Sequence, residues 1–301
     1  MRAPRTLILV AVLASPARAN TPLARPEAIE VDRDTTPPGQ AEMGFDSGAA
    51  SGDYAFGITL TELERPLRLR TGELVTSPVK RRETASLGGA IALGDDVIVD
   101  AKLPLSHQVG RRYQLLGDAR SLDPWVPNDL QLGARVHVMT RGPIAVFVRG
   151  NVTLPTGDDY DFAGDARWSA AWSGIARITL AHDITLAATG GIRIRGAEVR
   201  IADLIIGDEL FWAAGATVGI PPVGALWCSA SQFELEAELV GVVSDRVDHV
   251  RGPSPIEGRV GLVGRIRPQY AIAARIGTHL DDELGAPAFR ATVDLVFQQR
   301  H

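Results

Sequence analysis

Residues 129–139 read DLQLGARVHVM, and the side chains of this stretch fall into two chemical classes by alternation. The even positions are all apolar: Leu130, Leu132, Ala134, Val136 and Val138. The odd positions between them include Gln131, Arg135 and His137. Because successive side chains of a β-strand point to opposite faces, this pattern predicts a strand with one apolar and one polar face.

Twelve segments from about residue 52 to the C-terminus show this alternation. The predicted strands are 52–62, 81–93, 96–106, 129–139, 143–154, 167–180, 183–195, 208–220, 224–240, 255–267, 269–279 and 287–297. Short connections, such as Gly94-Asp95, alternate with long ones, such as 155–166. Residues 67–73 are a candidate for one further strand. An even strand number with tight periplasmic turns and long external loops is typical of bacterial outer-membrane barrels. We therefore predict an all-β fold, an antiparallel up-and-down transmembrane β-barrel of about 12 strands over 52–297, with both chain ends in the periplasm.

The apolar face is predicted to contact hydrocarbon, since no Asp, Glu, Lys or Arg interrupts it. Its positions include Ala85, Leu87, Ile91, Val99, Leu103, Val146, Val148, Leu186, Ile192, Val260 and Leu262. An arginine facing lipid at mid-bilayer would cost about 2–4 kcal/mol. The aromatic residues of this face sort toward its two ends, as in the interfacial girdles of membrane barrels. Those near the short turns are Tyr54, Phe56, Trp227, Tyr270 and Phe297, and those near the long loops are Trp168, Trp172, Trp212 and Phe289.

A soluble fold is the alternative for the same alternation. A secreted sandwich or a lipocalin-like barrel also has one packed apolar face and one polar face. Strand length, the alternation of short and long connections, the paired aromatic ends and the N-terminal export signal favour the membrane barrel.

The N-terminal 19 residues have the three parts of a secretory signal peptide. Arg2 and Arg5 supply the positive start, residues 7–13 are apolar, and 17–19 form a small-x-small cleavage site. An uncleaved anchor is the alternative. No other stretch approaches the roughly 18 apolar residues of a spanning helix. Residues 20–51 are proline-rich and without period, so we expect a flexible periplasmic leader, or a short plug, and 298–301 form a tail.

Charge and cysteine content exclude several functional classes. Loss of the signal removes Arg2, Arg5 and Arg18 from a chain of formal net charge −5, leaving −8, which disfavours nucleic acid as a partner. Cys228 is the single cysteine, so an exported chain has no internal disulfide and no thiolate metal cluster. We expect no cofactor. The expected partners are outer-membrane lipid, the barrel-assembly machinery and small solutes.

Three loop motifs carry a resemblance to a known family. They are Leu154-Pro155-Thr156-Gly157-Asp158 with Phe162 and Gly164-Asp165, Gly207-Asp208-Glu209-Leu210, and Gly285-Ala286-Pro287-Ala288-Phe289-Arg290. Together with the strands they resemble outer-membrane β-barrels of Gram-negative bacteria that often precede an OmpA-like peptidoglycan-binding domain and are often described as transporters. The resemblance covers roughly 65–297 and implies a location more than an activity. Ala288 departs from the acidic residue expected there, and the chain ends at His301, so we expect no OmpA-like domain.

The polar face holds the candidate functional residues. The side chains that we assign to the lumen are Asp100, Lys102, Arg135, His137, Arg149, Arg177, Arg193, Glu234, Glu236, Glu238, Glu257, Arg259, Arg265, Arg275, Arg290 and Asp294. One hypothesis is a water-filled path whose basic wall favours anionic or zwitterionic solutes. The other is an ionic plug, in which arginines pair with carboxylates and fill a narrow barrel. Glu234, Glu236 and Glu238 are expected to meet Arg259, Arg265 and Arg193. Interior glycines such as Gly261 and Gly277 leave space unless the long loops fold in.

The sequence contains few other chemical motifs. Asp158, Asp159, Asp161 and Asp165 crowd one external loop, which we interpret as a solvated turn in preference to a weak divalent-cation site, because the EF-hand pattern fails. No G-x-S-x-G, H-E-x-x-H or phosphate loop occurs, and His137 is interpreted as a hydrogen-bonded lumen residue.

Three functional hypotheses follow from the sequence. The first is a narrow passive channel for small hydrophilic solutes. The second is a non-conducting structural or assembly barrel. A membrane-embedded hydrolase using His137 is the distant third, and we expect no enzyme.

Overall fold

A computed structural model describes most of the chain beyond residue 50. The described residues are 51–66, 69–71, 74–111, 120–159, 161–164, 167–180, 184–197, 199–201, 204–220, 232–244, 255–267, 269–280 and 287–299. The signal peptide and nearly all of the leader predicted for 1–51 lie outside them. Within the described part of the chain, no helix is long and apolar enough to cross a membrane.

Twelve antiparallel strands form one closed sheet. They are β1 (Tyr54–Glu64), β2 (Val79–Ala92), β3 (Val97–Gly110), β4 (Leu130–Arg141), β5 (Ile144–Leu154), β6 (Ser169–Thr179), β7 (Ile184–Arg195), β8 (Glu209–Ile220), β9 (Gln232–Ser244), β10 (Ile256–Arg267), β11 (Tyr270–His279) and β12 (Phe289–Gln299). Each strand pairs with its neighbours in the chain, and β1 pairs with β12 from Tyr54↔Gln299 to Glu64↔Phe289. The predicted 12-stranded antiparallel barrel is confirmed.

The two faces of the strands follow the predicted alternation. In β1, Phe56, Ile58 and Leu60 are 52%, 47% and 53% exposed, while Ala55 and Gly57 on either side of Phe56 are buried. The apolar set thus lies on the outside of the barrel and the polar set on the inside. In β4 a bulge between His137 and Met139 interrupts the ladder, so Val138 and Met139 are both exposed. The bulge ends the alternation of residues 129–139 at its last position.

Several aromatic side chains contact one another at the turn end of the barrel, where the short connections lie. The ring of Phe297 lies 4.9 Å from Phe56, 5.3 Å from Tyr270 and 6.4 Å from Tyr54, measured between ring centroids. At the opposite, loop end, Trp172 and Phe289 are exposed on the outer face. Trp227 lies outside the described residues.

Charged residues limit the apolar outer face at the loop end. Arg81 Nε lies 2.9 Å from Glu62 Oε1, and Arg81 Nη2 lies 2.5 Å from Glu83 Oε1, all on the outer side of β1 and β2. The prediction of an uninterrupted uncharged face is therefore wrong for the last residues of these strands. Such charges belong at the level of lipid headgroups or water and not in hydrocarbon.

Several boundaries differ from the prediction. β9 is described from Gln232 onward, and the predicted residues 224–231 lie outside the described residues. β12 continues to Gln299 instead of ending at 297, and Gln298 still pairs with Ala55. Leu69–Thr71 and Leu74–Thr76 pair in a small separate sheet, so the described part of 67–73 belongs to no barrel strand. A three-residue strand, Trp125–Pro127, pairs with the loop end of β3, because β4 pairs only with Val97 to Lys102 of that strand.

Candidate functional site on the inner wall

A buried ionic group joins β9, β11, β12 and β1. Arg275 on β11 forms hydrogen-bonded ion pairs with Glu236 on β9 and with Asp294 on β12. Thr59 on β1 donates a hydrogen bond of 2.6 Å from Oγ1 to Asp294 Oδ1. One arginine therefore pairs with two carboxylates, and a hydroxyl satisfies a further carboxylate oxygen.

A second ionic group lies nearer the loop end. Glu257 Oε1 accepts hydrogen bonds from Arg259 Nε at 2.9 Å and from Arg290 Nε at 2.8 Å. Arg259 Nη1 also lies 3.5 Å from Glu238 Oε2 on β9. The expected contact between Arg259 and the row of glutamates is thus formed through Glu238.

Inward glycines allow ion pairs to reach across an intervening strand. Gly261 on β10 is the register partner of both Glu236 and Arg275, and a Cβ built on it would lie 2.6 Å from Glu236 Oε1 and 2.7 Å from Arg275 Cγ. Gly277 on β11 would place a Cβ 2.7 Å from Glu257 Oε1. The space that these glycines leave is therefore filled by ion pairs along the wall.

The same arrangement occurs on the other side of the barrel. Arg149 on β5 places Nη2 3.0 Å from Asp100 Oδ1 on β3. β4 lies between them and carries Gly133, where a Cβ would lie 2.6 Å from both oxygens of Asp100 and 2.9 Å from Arg149 Nη2. A glycine on the strand between the partners thus accompanies this pair as well.

Arg193 has a different partner from the expected one. Its Nη1 lies 3.5 Å from Glu209 Oε2 on β8, and Arg195 Nη2 lies 3.3 Å from the same oxygen. The prediction that Arg193 meets the glutamates of β9 is wrong, because Glu209 of β8 stands opposite Arg193 in register and β9 carries Ser244 at that level. Glu209 occurs in one of the loop motifs, and the sequence signal for its inward position is that it shares the parity of Ala213 and Gly215.

Three further candidates for the lumen are His137, Glu234 and Arg265. His137 Nδ1 lies 3.1 Å from Asp96 Oδ1 and its Nε2 lies 2.8 Å from Thr140 Oγ1, which agrees with a hydrogen-bonded residue at the turn end. Glu234 lies on the inner face of β9, opposite Gly219 of β8. The side chain of Arg265 lies outside the described part of the structure.

One arc of the inner wall carries more basic than acidic side chains. On the inner faces of β3 to β6, all of which the structure describes, Asp100 is the single acidic residue. The basic residues on the same faces are Lys102, Arg135, Arg149 and Arg177. This arc therefore carries a formal excess of three positive charges, and the glutamates lie on the facing half of the barrel.

An external loop folds onto the inner wall at the loop end. Arg82 of β2 is fully buried and donates from Nη2 to Gln108 Oε1 at 2.6 Å and to the backbone oxygen of Phe162 at 2.8 Å. Gln108 Nε2 donates to the backbone oxygen of Asp161 at 2.9 Å. The loop after β5 thus reaches across β4 and β3 to the wall near β2.

A second set of contacts packs the middle of this loop. The amide of Gly157 donates to Asp129 Oδ1 at 2.8 Å, and a Cβ on Gly157 would lie 2.6 Å from the Ala163 oxygen and 2.9 Å from the Asp129 nitrogen. The backbone amide of Asp123 donates to Asp161 Oδ2 at 3.1 Å. We refer to residues 157–159 and 161–164 as the folded loop.

The expected solvated turn is wrong for the centre of this loop. Asp161 is 1% exposed, and burial raises the pKa of its carboxyl above the ordinary value of 3.8. The charges of Asp158 and Asp123 raise this pKa further, whereas the amide of Asp123 and the guanidinium of Arg120 lower it. Carboxylate oxygens of Asp123, Asp158 and Asp161 lie within 4.8 Å of one another, so two of the predicted loop aspartates join this group. Asp165 lies outside the described residues.

Comparison with solved structures places the fold among outer-membrane channels. An outer-membrane channel from Pseudomonas putida F1 superposes with a TM-score of 0.61 at 13% identity, over 85% of this chain and 99% of that chain. The NanC porin gives a TM-score of 0.50 at 7% identity, over 81% of this chain and 100% of that chain. At these identities the likeness establishes the fold, which supports a location in the outer membrane. No protein-family model and no curated protein matches the sequence.

Proposed function

We propose that this protein is a passive outer-membrane channel for small hydrophilic solutes, with a preference for anionic or zwitterionic ones. The observation that carries the proposal is the direction of the ion pairs on the inner wall. Among the described residues, the pairs named above join strands that are at most two apart in the barrel. Such pairs hold charged side chains along the wall, whereas a plug requires pairs that cross the barrel axis.

Barrel size supports the same conclusion. Eight-stranded barrels are filled by their own side chains, and barrels of 16–18 strands leave an aqueous channel. Twelve strands lie between these limits, so wall-bound charges leave a narrow polar path. Glycines at Gly133, Gly261 and Gly277 let the ion pairs lie close to the wall instead of extending inward.

The basic arc supports the preference for negative groups. A channel lined by cationic side chains in a low-dielectric wall raises the local concentration of anions. The facing half presents paired carboxylates and guanidinium groups, so a zwitterion would meet both signs of charge there. Assembly by the barrel-assembly machinery, contact with outer-membrane lipid and periplasmic chain ends are parts of the same proposal.

One observation favours a non-conducting structural barrel. The folded loop lies against the inner wall at the loop end. In this second candidate function the loop closes the path, and the barrel serves as a scaffold in the membrane.

Single-channel recording in planar bilayers separates the two functions. We expect current steps with anion preference, and a smaller preference in Arg135→Ala and Arg149→Ala. Arg81→Ala, which removes one positive charge from the outer face, is the matched control and should leave selectivity unchanged. Silence from protein that migrates as a folded barrel on unboiled gels would support the structural candidate.

A further inference from the structure

An apolar groove of about 760 Å³ lies on the outer face of the barrel and extends from β8 to β11. Its floor includes the outward residues Ala214 and Ala216 of β8, Ala237 of β9 and Gly258 of β10. At many other outward positions the strands carry leucine, isoleucine or valine, whose side chains stand out from the sheet. The outer surface is therefore recessed where these small residues meet.

Strand register brings the small residues together at two adjacent levels. Ala216 is the cross-strand partner of Ala237, and the next outward level toward the loop end runs from Ala214 through Leu239 to Gly258. The recess is thus a product of two strand pairings, and no single strand contains it.

Large side chains border the groove at the loop end. Leu280 leans over Gly258, because a Cβ built on this glycine would lie 3.2–3.4 Å from three carbon atoms of the leucine side chain. One level further toward the loops, Trp212 covers its partner Gly241, where a Cβ would overlap the indole ring. Tryptophan rings favour the boundary between hydrocarbon and headgroups. The groove therefore begins near that boundary and extends toward the middle of the membrane.

The polar residues that border the groove are engaged elsewhere. Glu238 and Arg259 belong to the inner wall by their side chains, where Arg259 Nη1 lies 3.5 Å from Glu238 Oε2. Thr278 Oγ1 donates a hydrogen bond of 2.9 Å to the backbone oxygen of Ala288. The other residues that line the groove are alanine, glycine, leucine, valine, isoleucine and phenylalanine. An occupant is therefore held by shape and dispersion contacts, as a hydrocarbon chain would be.

We infer that the groove binds one acyl chain of a membrane phospholipid, with the headgroup at the level of Trp212. The groove is continuous with the outward face, which contacts hydrocarbon in an outer-membrane barrel. Its volume falls within the roughly 300–1,000 Å³ of sites that hold small molecules. A second copy of the chain fits less well, because a two-fold interface centred on the groove would place two recesses against each other. The inference rests on the membrane location of the barrel and not on conduction.

Native mass spectrometry of the folded protein in detergent, titrated with dipalmitoyl phosphatidylethanolamine, tests the groove. We expect the unmodified protein to retain one lipid molecule under activation that removes the detergent. In Ala216→Leu and in Ala237→Leu the new side chain occupies the floor, so the Kd for the lipid should rise about tenfold, equivalent to about 1.4 kcal/mol of lost contact. Leucine is suited to a lipid-facing position, so both variants should still migrate as folded barrels on unboiled gels.

Ala85→Leu is the matched control. Ala85 is an exposed outward alanine of β2, placed between Leu60 and Leu105 in register and away from the groove. Its Kd should stay within about twofold of the unmodified protein, as for a site distant from the bound lipid. An equal shift in all three variants, or no lipid retained by the unmodified, folded protein, overturns the inference. A dimer of the unmodified protein that Ala237→Leu abolishes would assign the groove to a second copy and overturns it as well.

Discussion

Glu236 and Arg275 form an ion pair across a strand to which neither belongs. β10 lies between them, and its residue at that level, Gly261, pairs in register with both. The absence of a side chain at Gly261 is what allows the carboxylate of β9 and the guanidinium of β11 to meet along the wall. The inner surface of the barrel is therefore organised by the positions of small residues as much as by the charges themselves.

Gly261→Val is expected to destabilise the barrel. The new side chain would overlap Glu236 Oε1 and Arg275 Cγ, and it lies close to the backbone oxygen of Ala274, so the pair must separate. Overpacking costs about 1–3 kcal/mol, and separation of a buried pair adds to this. The measurement is the urea midpoint of unfolding in lipid, read from the gel shift between folded and unfolded protein.

Gly190→Val is the control for this experiment. Gly190 also lies within a strand, but on the outer face of β7, and no atom lies within 4 Å of a Cβ placed there. Its urea midpoint should stay unchanged or rise, because valine favours strands and the face contacts lipid. A midpoint for Gly261→Val equal to that of Gly190→Val would contradict the role of the glycine.

Glu257→Gln should cost more stability than Arg290→Gln. Glu257 is the common partner of Arg259 and Arg290, so its neutralisation leaves two buried guanidinium groups with less compensation. Removal of Arg290 leaves Glu257 with the 2.9 Å bond from Arg259. We expect losses of about 3 kcal/mol for Glu257→Gln and about 1–2 kcal/mol for Arg290→Gln.

Unfolding in urea at neutral pH measures both losses. The comparison is internally matched, since each variant removes one charge from the same buried group and the two changes have opposite sign. Equal midpoints, or a larger loss in Arg290→Gln, would show that Glu257 is not the centre of the group.

The faces of the strands could be predicted from the sequence, whereas most partners of the inward charges could not. Lipid and water each impose their own chemistry on one side of every strand, so Leu60 or Leu103 is assigned by alternation alone. The partner of Glu236 depends on the register of β9 with β10, on that of β10 with β11, and on the absence of a side chain at Gly261. Arg82 did carry a signal, because it shares its parity with the inward residues of β2, but its contact with Phe162 depends on how a distant loop closes.

Arg82→Met should release the folded loop without unfolding the barrel. The methionine keeps the apolar length of the side chain and loses the hydrogen bonds to Gln108 and to the Phe162 backbone oxygen. A loss of about 2 kcal/mol in the free energy of docking corresponds to a roughly thirtyfold larger fraction of molecules with the loop undocked. Limited proteolysis of reconstituted protein, with cleavage mapped within residues 155–168, reports this opening.

Arg81→Met is the neighbouring control. Arg81 points to the outer side, where it pairs with Glu62 and Glu83, and makes no described contact with the folded loop. Its cleavage rate should match that of the unmodified protein. If both variants are cleaved equally fast, the loop is not held by the inward arginine.

Docking of the folded loop should weaken as pH rises. Asp161 is buried when the loop is docked, and its pKa is then raised above the 3.8 of an exposed carboxyl. Between these two pKa values the docked state binds more protons than the undocked state. The docked state is therefore most stable below the lower pKa, and its stability falls as the pH rises from the lower pKa to the raised one. Proteolytic cleavage within residues 155–168 should accordingly accelerate across this window. In Asp161→Asn, whose amide does not titrate, the acceleration should disappear, and a pH profile that is unchanged by this substitution would assign the effect to another group.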